Sequence, residues 1–186
     1  MRALTTGGWV DARGQAEDVA FTRLFTAEYA RVVGIANRIL ADCHEAEDVA
    51  QEVFCSFHRR HPADAPYAAA WIHAAAAHAA LNVIRGKRRR ASRERADAEA
   101  GKRLEEDRED SLDPQHAIER AETRESVRRA LGRLRPRGAA ALAMRYSGLS
   151  YADVAAALSI RVDQVGTLLR RSEAALRKEM HRDSSR

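Results

Sequence analysis

The sequence predicts an all-α protein made of two small helical domains that a flexible, charged linker joins. Aromatic residues make up only 5% of the 186 residues, and no segment keeps the alternation of apolar and polar residues that marks a strand. Apolar residues instead recur every three to four positions, as on one face of a helix. Between residues 93 and 114 this pattern disappears, so the helical segments fall into two groups.

The first domain, residues 20–92, is expected to hold three helices that share a core. Each segment carries an apolar stripe, and turn signals at Asp42, Pro62 and Pro66 separate the segments. The segments are residues 21–40, 45–59 and 67–90. Residues 1–19 lack periodicity and are assigned to a flexible tail.

The second domain, residues 115–180, begins with two further helical segments, and residues 181–186 form a short tail after it. One segment runs from residue 115 to the bond between Arg135 and Pro136, where proline interrupts the pattern. The next covers residues 137–146, and Gly148 separates it from the motif that follows.

Residues 149–171 have the pattern of a helix-turn-helix. Ser150 can cap a short helix and Asp153 can reach back to it, which is a capping box. After a turn over residues 159–162, Asp163 can cap a second helix. The polar side of that helix can enter the major groove of DNA, and it carries Gln164, Thr167, Arg170 and Arg171. The alternative is a small helical hairpin with no DNA partner.

The charge of the chain favours a polyanionic partner because the basic residues are clustered. The formal net charge is +5, from 32 basic and 27 acidic residues. Residues 85–95 hold seven basic side chains and one acidic side chain. This density is typical of a phosphate-binding segment.

The second helix has an acidic ridge opposite its apolar face. Asp48, Glu52 and Cys55 lie opposite the apolar stripe, with Gln51 beside them. Paired carboxylates can also indicate acid–base catalysis, but that chemistry needs burial and perturbed pKa values. We therefore predict a protein-docking surface at this ridge.

The third helix presents a stripe that suits single-stranded nucleic acid. Trp71, His78, Asn82 and Arg85 lie within a narrow sector and lead into the basic run. An aromatic ring can stack on exposed bases, while amide and guanidinium groups form hydrogen bonds with them. The alternative for Trp71 is simple packing against Ile72 and its neighbours.

Cys43 and Cys55 do not form a disulfide framework. The histidines nearby, at positions 44, 58 and 61, raise a metal or redox site as an alternative, but the spacings match no zinc signature. We expect no metal and no cofactor. We also expect no secretory signal and no membrane insertion, and therefore a cytoplasmic protein.

These motifs resemble the extracytoplasmic-function, or group 4, sigma factors of the sigma-70 family of bacterial RNA polymerase. Residues 46–54, Ala-Glu-Asp-Val-Ala-Gln-Glu-Val-Phe, match the polymerase-docking helix of sigma region 2. Trp71, Ile72 and the helix through Arg85 match the segment that captures the melted minus-ten element. Residues 124–178 resemble sigma region 4, whose helix-turn-helix contacts the minus-thirty-five element and the β flap.

The resemblance implies a non-enzymatic transcription initiation factor whose partners are core RNA polymerase and promoter DNA. Anti-sigma factors are common further partners in the family. It assigns contact with the β′ clamp helices to Asp48, Gln51 and Glu52. Together with the stripe on the third helix and the basic run, it assigns minus-ten binding to His61, Trp71, His78, Asn82, Arg85, Lys87, Arg88, Arg89 and Arg90. The family usually has other residues at positions 78 and 82. It assigns minus-thirty-five binding to Asp163, Gln164, Thr167, Arg170 and Arg171.

Two rival functions remain open from the sequence. The first is a helix-turn-helix regulator that binds duplex DNA without polymerase. The second is a metal- or thiol-dependent enzyme that uses the two cysteines and the histidines. The acidic run at residues 105–110 is expected either to occupy the basic channel that later holds nascent RNA or to be a solvated spacer.

Overall fold

The computed structural model describes residues 12–97 and 114–184, and these residues form seven α-helices and no strand. The all-α prediction is therefore confirmed for the described part of the chain. The helices are α1 (Ala12–Leu40), α2 (Cys43–Arg60), α3 (Ala68–Asp97), α4 (Pro114–Arg133), α5 (Pro136–Tyr146), α6 (Tyr151–Leu158) and α7 (Val162–Ser184).

Three helices are longer than their apolar stripes predicted. Helix α1 begins within the segment assigned to the N-terminal tail, α3 continues to Asp97 in the predicted linker, and α7 continues to Ser184 in the second tail. The extensions of α1 and α3 contain alanine, arginine and glutamate, which favour a helix without a buried face. The rest of the predicted linker, residues 98–113, lies outside the described residues, as do 1–11 and 185–186.

Helices α1, α2 and α3 pack together around one apolar core. The α2 face opposite Asp48, Glu52 and Cys55 is buried as predicted, and Phe54 is buried as well. Phe54 is covered by rings from α1, because the Phe25 centroid lies 4.9 Å and the Tyr29 centroid 6.2 Å from it. Asp42, which was predicted as a turn residue before α2, caps that helix, since its Oδ1 accepts the backbone N–H of Glu45 at 3.0 Å.

Helices α4 to α7 form the second module, with α5 at its centre. The apolar face predicted for α6 is buried, namely Val154, Ala155 and Leu158. Gly138 lets α5 approach α7 closely, because a Cβ atom at this position would lie 2.5 Å from Ser172 Oγ. That hydroxyl donates to the Leu168 carbonyl at 2.8 Å.

The two modules also pack against each other. Helix α3 contacts α4, α5 and α6, and α1 contacts α5. The buried apolar residues of both modules consequently form one continuous cluster. The sequence predicted two modules but did not predict this contact between them.

Candidate nucleic-acid interface

The first helix of the helix-turn-helix, α6, begins with the predicted capping box. The backbone N–H of Asp153 donates to Ser150 Oγ at 3.1 Å, and the backbone N–H of Ser150 donates to Asp153 Oδ2 at 3.0 Å. The Ser150 hydroxyl donates to the same carboxylate at 2.7 Å. These bonds stabilise the charged carboxylate and lower the pKa of Asp153. The start of α6 is therefore fixed by local chemistry.

The second helix, α7, begins two residues earlier than a cap at Asp163 would place it, which corrects the role of Asp163. Helix α7 starts at Val162, so Asp163 lies in the first turn and is not the capping residue. Gln164 occupies the capping-box position instead, because its Oε1 accepts the backbone N–H of Arg161 at 3.3 Å. The Asp163 carboxylate accepts the Arg161 guanidinium at 2.5 Å.

Helix α7 separates into the two faces that the sequence predicted. Val165 and Leu169 are buried, whereas Gln164, Arg170 and Arg171 are exposed. Thr167 is half-buried, and its hydroxyl accepts Arg170 Nη2 at 3.3 Å. The exposed face is thus available to a groove of DNA.

Two arginines of α5 brace α6, and the sequence did not single them out. Arg137 Nη2 donates to the Leu158 carbonyl at 2.6 Å, at the end of α6, and Arg145 Nη1 donates to the Leu149 carbonyl at 3.1 Å, just before it. The Arg145 guanidinium also lies 5.6 Å from the centre of the Tyr151 ring. Because each arginine binds a carbonyl of another segment, only the folded structure reveals the role.

An aromatic cluster surrounds the loop between α2 and α3. The His61 ring centroid lies 4.8 Å from that of Trp71 and 5.2 Å from that of Phe57. Tyr67 is 46% exposed, and its hydroxyl lies 3.4 Å from His61 Nδ1. Trp71 packs partly on the core through Phe57, so it has one side in the core and one in the cluster. Tyr67 was not among the site residues predicted from the sequence. Its position as an aromatic residue directly after Pro66 was a signal that could have identified it.

The stripe on α3 does not face solvent uniformly. His78 and Asn82 are exposed, but His78 also lines a groove with Arg137 and Leu158 of the second module. Partial burial, followed by the positive charges of Arg85 and Arg137, lowers the pKa of His78. This end of the stripe therefore lies at the junction of the modules.

The basic run is divided by its contacts within the chain. Arg85 Nη2 donates to the Leu134 carbonyl at 2.9 Å, and Lys87 forms an ion pair with Glu45 of α2. The next three residues, Arg88, Arg89 and Arg90, are exposed, and none of their side chains forms an ion pair with a described residue. These three guanidinium groups remain open to phosphates.

The acidic ridge of α2 is exposed along its length. Asp48, Gln51, Glu52 and Cys55 all lie on the solvent side, opposite the buried face. The carboxylates are not enclosed in a cavity, which favours a docking surface over acid–base catalysis.

Comparison with known families matches each helical module separately. The Sigma-70 region 2 model matches residues 24–90, and the Sigma-70, region 4 model matches residues 124–176. The RNA polymerase sigma-H factor of Pseudomonas aeruginosa is 28% identical over 167 residues, which cover 87% of this chain and 86% of that protein. The chain belongs to the sigma-70 family, in its extracytoplasmic-function type. It is an alternative sigma factor that directs promoter-specific transcription.

The family matches follow the architecture of this sigma factor. Region 2 covers most of α1, all of α2 and α3 up to Arg90, and region 4 runs from within α4 into α7. The predicted docking and minus-ten residues lie in the first match, and the helix-turn-helix lies in the second. The linker between the two matches belongs to neither.

The thiols and histidines of the sigma factor do not converge. Cys43 and Cys55 are free and exposed, and the His58 ring packs on Phe21 with centroids 4.4 Å apart. Among residues 12–97 and 114–184, no group of three or more His, Cys, Asp and Glu side chains is arranged to hold a metal ion. Within those same ranges, no helix has the length and apolar character needed to cross a bilayer.

Proposed function

We propose that this sigma factor docks on core RNA polymerase through the α2 ridge and places its two modules on the two promoter elements. The first module binds the melted minus-ten strand, and the second binds the minus-thirty-five duplex. The polymerase performs the catalysis, so the sigma factor is not an enzyme and acts in the cytoplasm beside the polymerase. The arrangement that carries the proposal is one chain with an exposed acidic ridge on α2, an aromatic cluster at the start of α3, free arginines further along α3, and a helix-turn-helix.

The docking step is assigned to Asp48, Gln51 and Glu52. These side chains project from α2 on the side opposite the buried Val49 and Val53. A partner can therefore reach them without disturbing the core. Two carboxylates with an amide between them suit a basic, hydrogen-bonding partner, which we propose is the pair of β′ clamp helices.

The minus-ten strand is assigned to the loop at residues 61–66 and to α3. His61, Tyr67 and Trp71 form a cluster with an exposed edge on which an unstacked base can lie. His78 and Asn82 offer hydrogen-bonding groups further along α3, and the free arginines at positions 88–90 suit phosphates. This combination supports binding to a melted strand rather than to a duplex groove.

The minus-thirty-five duplex is assigned to α7. Gln164 and Thr167 lie near the N-terminal end of the helix, where side chains reach base edges. Arg170 and Arg171 lie further along on the same polar side and suit phosphates. Asp163 holds Arg161 beside the first turn, and the β flap is the proposed protein contact of this module.

A helix-turn-helix regulator that works without polymerase is the less favoured function. Such a regulator would use α6 and α7 to bind duplex DNA. It would give no role to the first module or to the acidic ridge of α2. An anti-sigma factor is a further partner that we propose, because the family commonly has one. For the linker we propose occupation of the nascent-RNA channel, on the basis of its acidic composition alone.

Run-off transcription with purified core polymerase on genomic promoter fragments tests the function as a whole. The docking step is tested by Asp48→Arg, which should reduce co-purification with core polymerase at least tenfold and leave the helical circular dichroism spectrum unchanged. The matched control is Glu47→Arg, an equal charge reversal at the exposed neighbouring position outside the docking set. Equal binding by the parent and Asp48→Arg at moderate salt would remove the assignment.

A further inference from the structure

A glycine lies in the second turn of α7, among residues that the proposed function assigns to DNA. Gly166 follows the buried Val165 and precedes Thr167. Glycine destabilises the interior of a helix relative to alanine, because it loses more conformational freedom on folding. The helix itself therefore gives no reason for a glycine at this position, and the reason has to come from what surrounds it.

The neighbour of Gly166 is an aromatic ring from α6. Among the described residues, a Cβ atom at position 166 would approach Cε2 of the Tyr151 ring, at 3.7 Å. An alanine would fit at this distance in ordinary van der Waals contact, but a longer side chain would need the space that the ring fills. The Tyr151 ring therefore lies where a side chain at position 166 would project.

The Tyr151 ring is held in place, but its hydroxyl is open. The Arg145 guanidinium lies 5.6 Å from the ring centre, and Arg145 Nη1 donates to the Leu149 carbonyl at 3.1 Å. Tyr151 is nevertheless 44% exposed, and its hydroxyl has no hydrogen-bond partner among residues 12–97 and 114–184. A fixed ring that carries an open donor and acceptor is suited to a partner outside the chain.

The position of the ring relative to α7 puts the hydroxyl beside the proposed DNA surface. Residues four positions apart share a helix face, so a side chain at position 166 would lie one turn before Arg170. The N-terminal turns of the second helix of this motif come closest to the base edges. Tyr151 is the first residue of α6, so its ring spans from the start of that helix to the N-terminal turns of α7.

The charge beside Tyr151 favours a base edge over a phosphate as the partner. The Asp153 carboxylate lies in the first turn of α6, and its hydrogen bonds with Ser150 lower its pKa and keep it charged. A phosphate close to this end of α6 would meet that negative charge. A base edge carries no net charge, and a hydroxyl can pair with either the donors or the acceptors in the major groove.

We infer that the Tyr151 hydroxyl forms a hydrogen bond with a base edge of the minus-thirty-five duplex, in place of a side chain at position 166, and that Gly166 leaves the room for the ring. This inference rests on the proposed placement of α7 in the groove of that duplex. It extends the surface that determines promoter specificity from α7 to α6.

The hydroxyl is tested by Tyr151→Phe, which keeps the ring and its packing. Holoenzyme with this variant should select a different base at one or two adjacent pairs when the minus-thirty-five element is randomised. It should also bind the parental element about threefold more weakly or worse, as expected for the loss of one hydrogen bond. The matched control is Tyr146→Phe, because Tyr146 is 56% exposed and its hydroxyl donates to Glu173 at 3.3 Å within the chain. The control should keep the parental preference.

The room for the ring is tested by a pair of variants at position 166. Gly166→Ala fits the 3.7 Å contact and should keep the parental preference. Gly166→Leu should displace the ring and change the preference at the same base pairs as Tyr151→Phe. A parental preference in Gly166→Leu would contradict the role given to the glycine. Circular dichroism and urea denaturation check that both variants fold.

The selection also separates this inference from the function on which it rests. Retention of the parental preference by Tyr151→Phe would overturn the inference, and so would a uniform loss of affinity for all upstream elements, which would indicate a phosphate contact. A preference that changes with Gln164→Ala but not with Tyr151→Phe would leave the proposed function intact and remove Tyr151 from the reading surface. A parental protein that selects no upstream element would contradict the proposed function, and the role of Tyr151 with it.

Discussion

Replacement of Arg88, Arg89 and Arg90 with alanine should weaken promoter binding by the holoenzyme mainly at low salt. These three side chains are exposed and free of ion pairs with described residues, whereas Arg85 and Lys87 are engaged within the chain. Each phosphate contact releases counterions, so each adds a definite amount to the salt dependence of binding. The slope of log K against log salt therefore counts the contacts that are lost.

The size of the change also distinguishes the form of the DNA. If each arginine contacts one phosphate of a duplex, the slope should become shallower by about 2.7, and on a single strand by about 2.1. Between about 50 and 200 mM salt, the parent should then lose roughly 40-fold more affinity than the variant on a duplex, or roughly 20-fold more on a single strand. A change near the smaller value would support contact with the melted strand.

The assay is fluorescence anisotropy of holoenzyme on labelled promoter DNA at four or more salt concentrations, with two promoters of different sequence. The control replaces Arg23, Arg38 and Lys178 with alanine, which removes the same charge from exposed positions on other parts of the molecule. The control should keep the parental slope. An unchanged slope in the triple variant, or a loss confined to one promoter sequence, would refute the reasoning.

Three further predictions concern base reading, helix capping and pH. Gln164→Ala should change the preferred upstream element in a selection of randomised sequences, and it should cost about 1–3 kcal/mol of binding free energy at the contacted base. Arg171→Ala should instead weaken binding to all upstream elements alike. Recovery of the parental preference by Gln164→Ala would contradict this assignment. Ser150→Ala should lower the free energy of unfolding by about 1 kcal/mol, measured by urea denaturation, because the capping box is lost; an unchanged midpoint would oppose it. Burial lowers the pKa of His73 despite its hydrogen bond to Glu28 at 2.9 Å. His73 therefore binds a proton near pH 6.5 in the unfolded chain but only at lower pH in the folded protein. The free energy of unfolding should therefore fall as pH drops below about 6.5, and His73→Gln should flatten that fall; equal pH dependence in both proteins would exclude His73 as the cause.

Much of the secondary structure could be predicted because it depends on neighbouring residues. The cap at Asp42, the capping box of Ser150 with Asp153, and the buried face of α2 all arise within one helical turn or one periodic stripe. Helix ends without such a signal were less well predicted. Asp163, for example, looked like a capping residue, but α7 begins at Val162 and Gln164 accepts the preceding backbone N–H.

The candidate sites were predictable to the extent that their residues are close in sequence. The exposed ridge of α2 and the polar side of α7 were predicted from single helices, and they lie where expected. Tyr67 and the bracing arginines of α5 were missed. The arginines bind carbonyls of other segments, and such partners leave no periodic signal in the chain.

The sequence by itself determined the helical class, the two modules, their helix-turn-helix and the residues that can carry its function, because periodicity and capping are local. Only the tertiary structure decided which members of the basic run are free. Arg85 binds carbonyls 47 and 49 residues away, Lys87 binds a carboxylate 42 residues away, and Arg88 to Arg90 remain in solvent. The seven basic residues between positions 85 and 95 look alike as a sequence, and the packing of α3 against its neighbours is what gives them different partners.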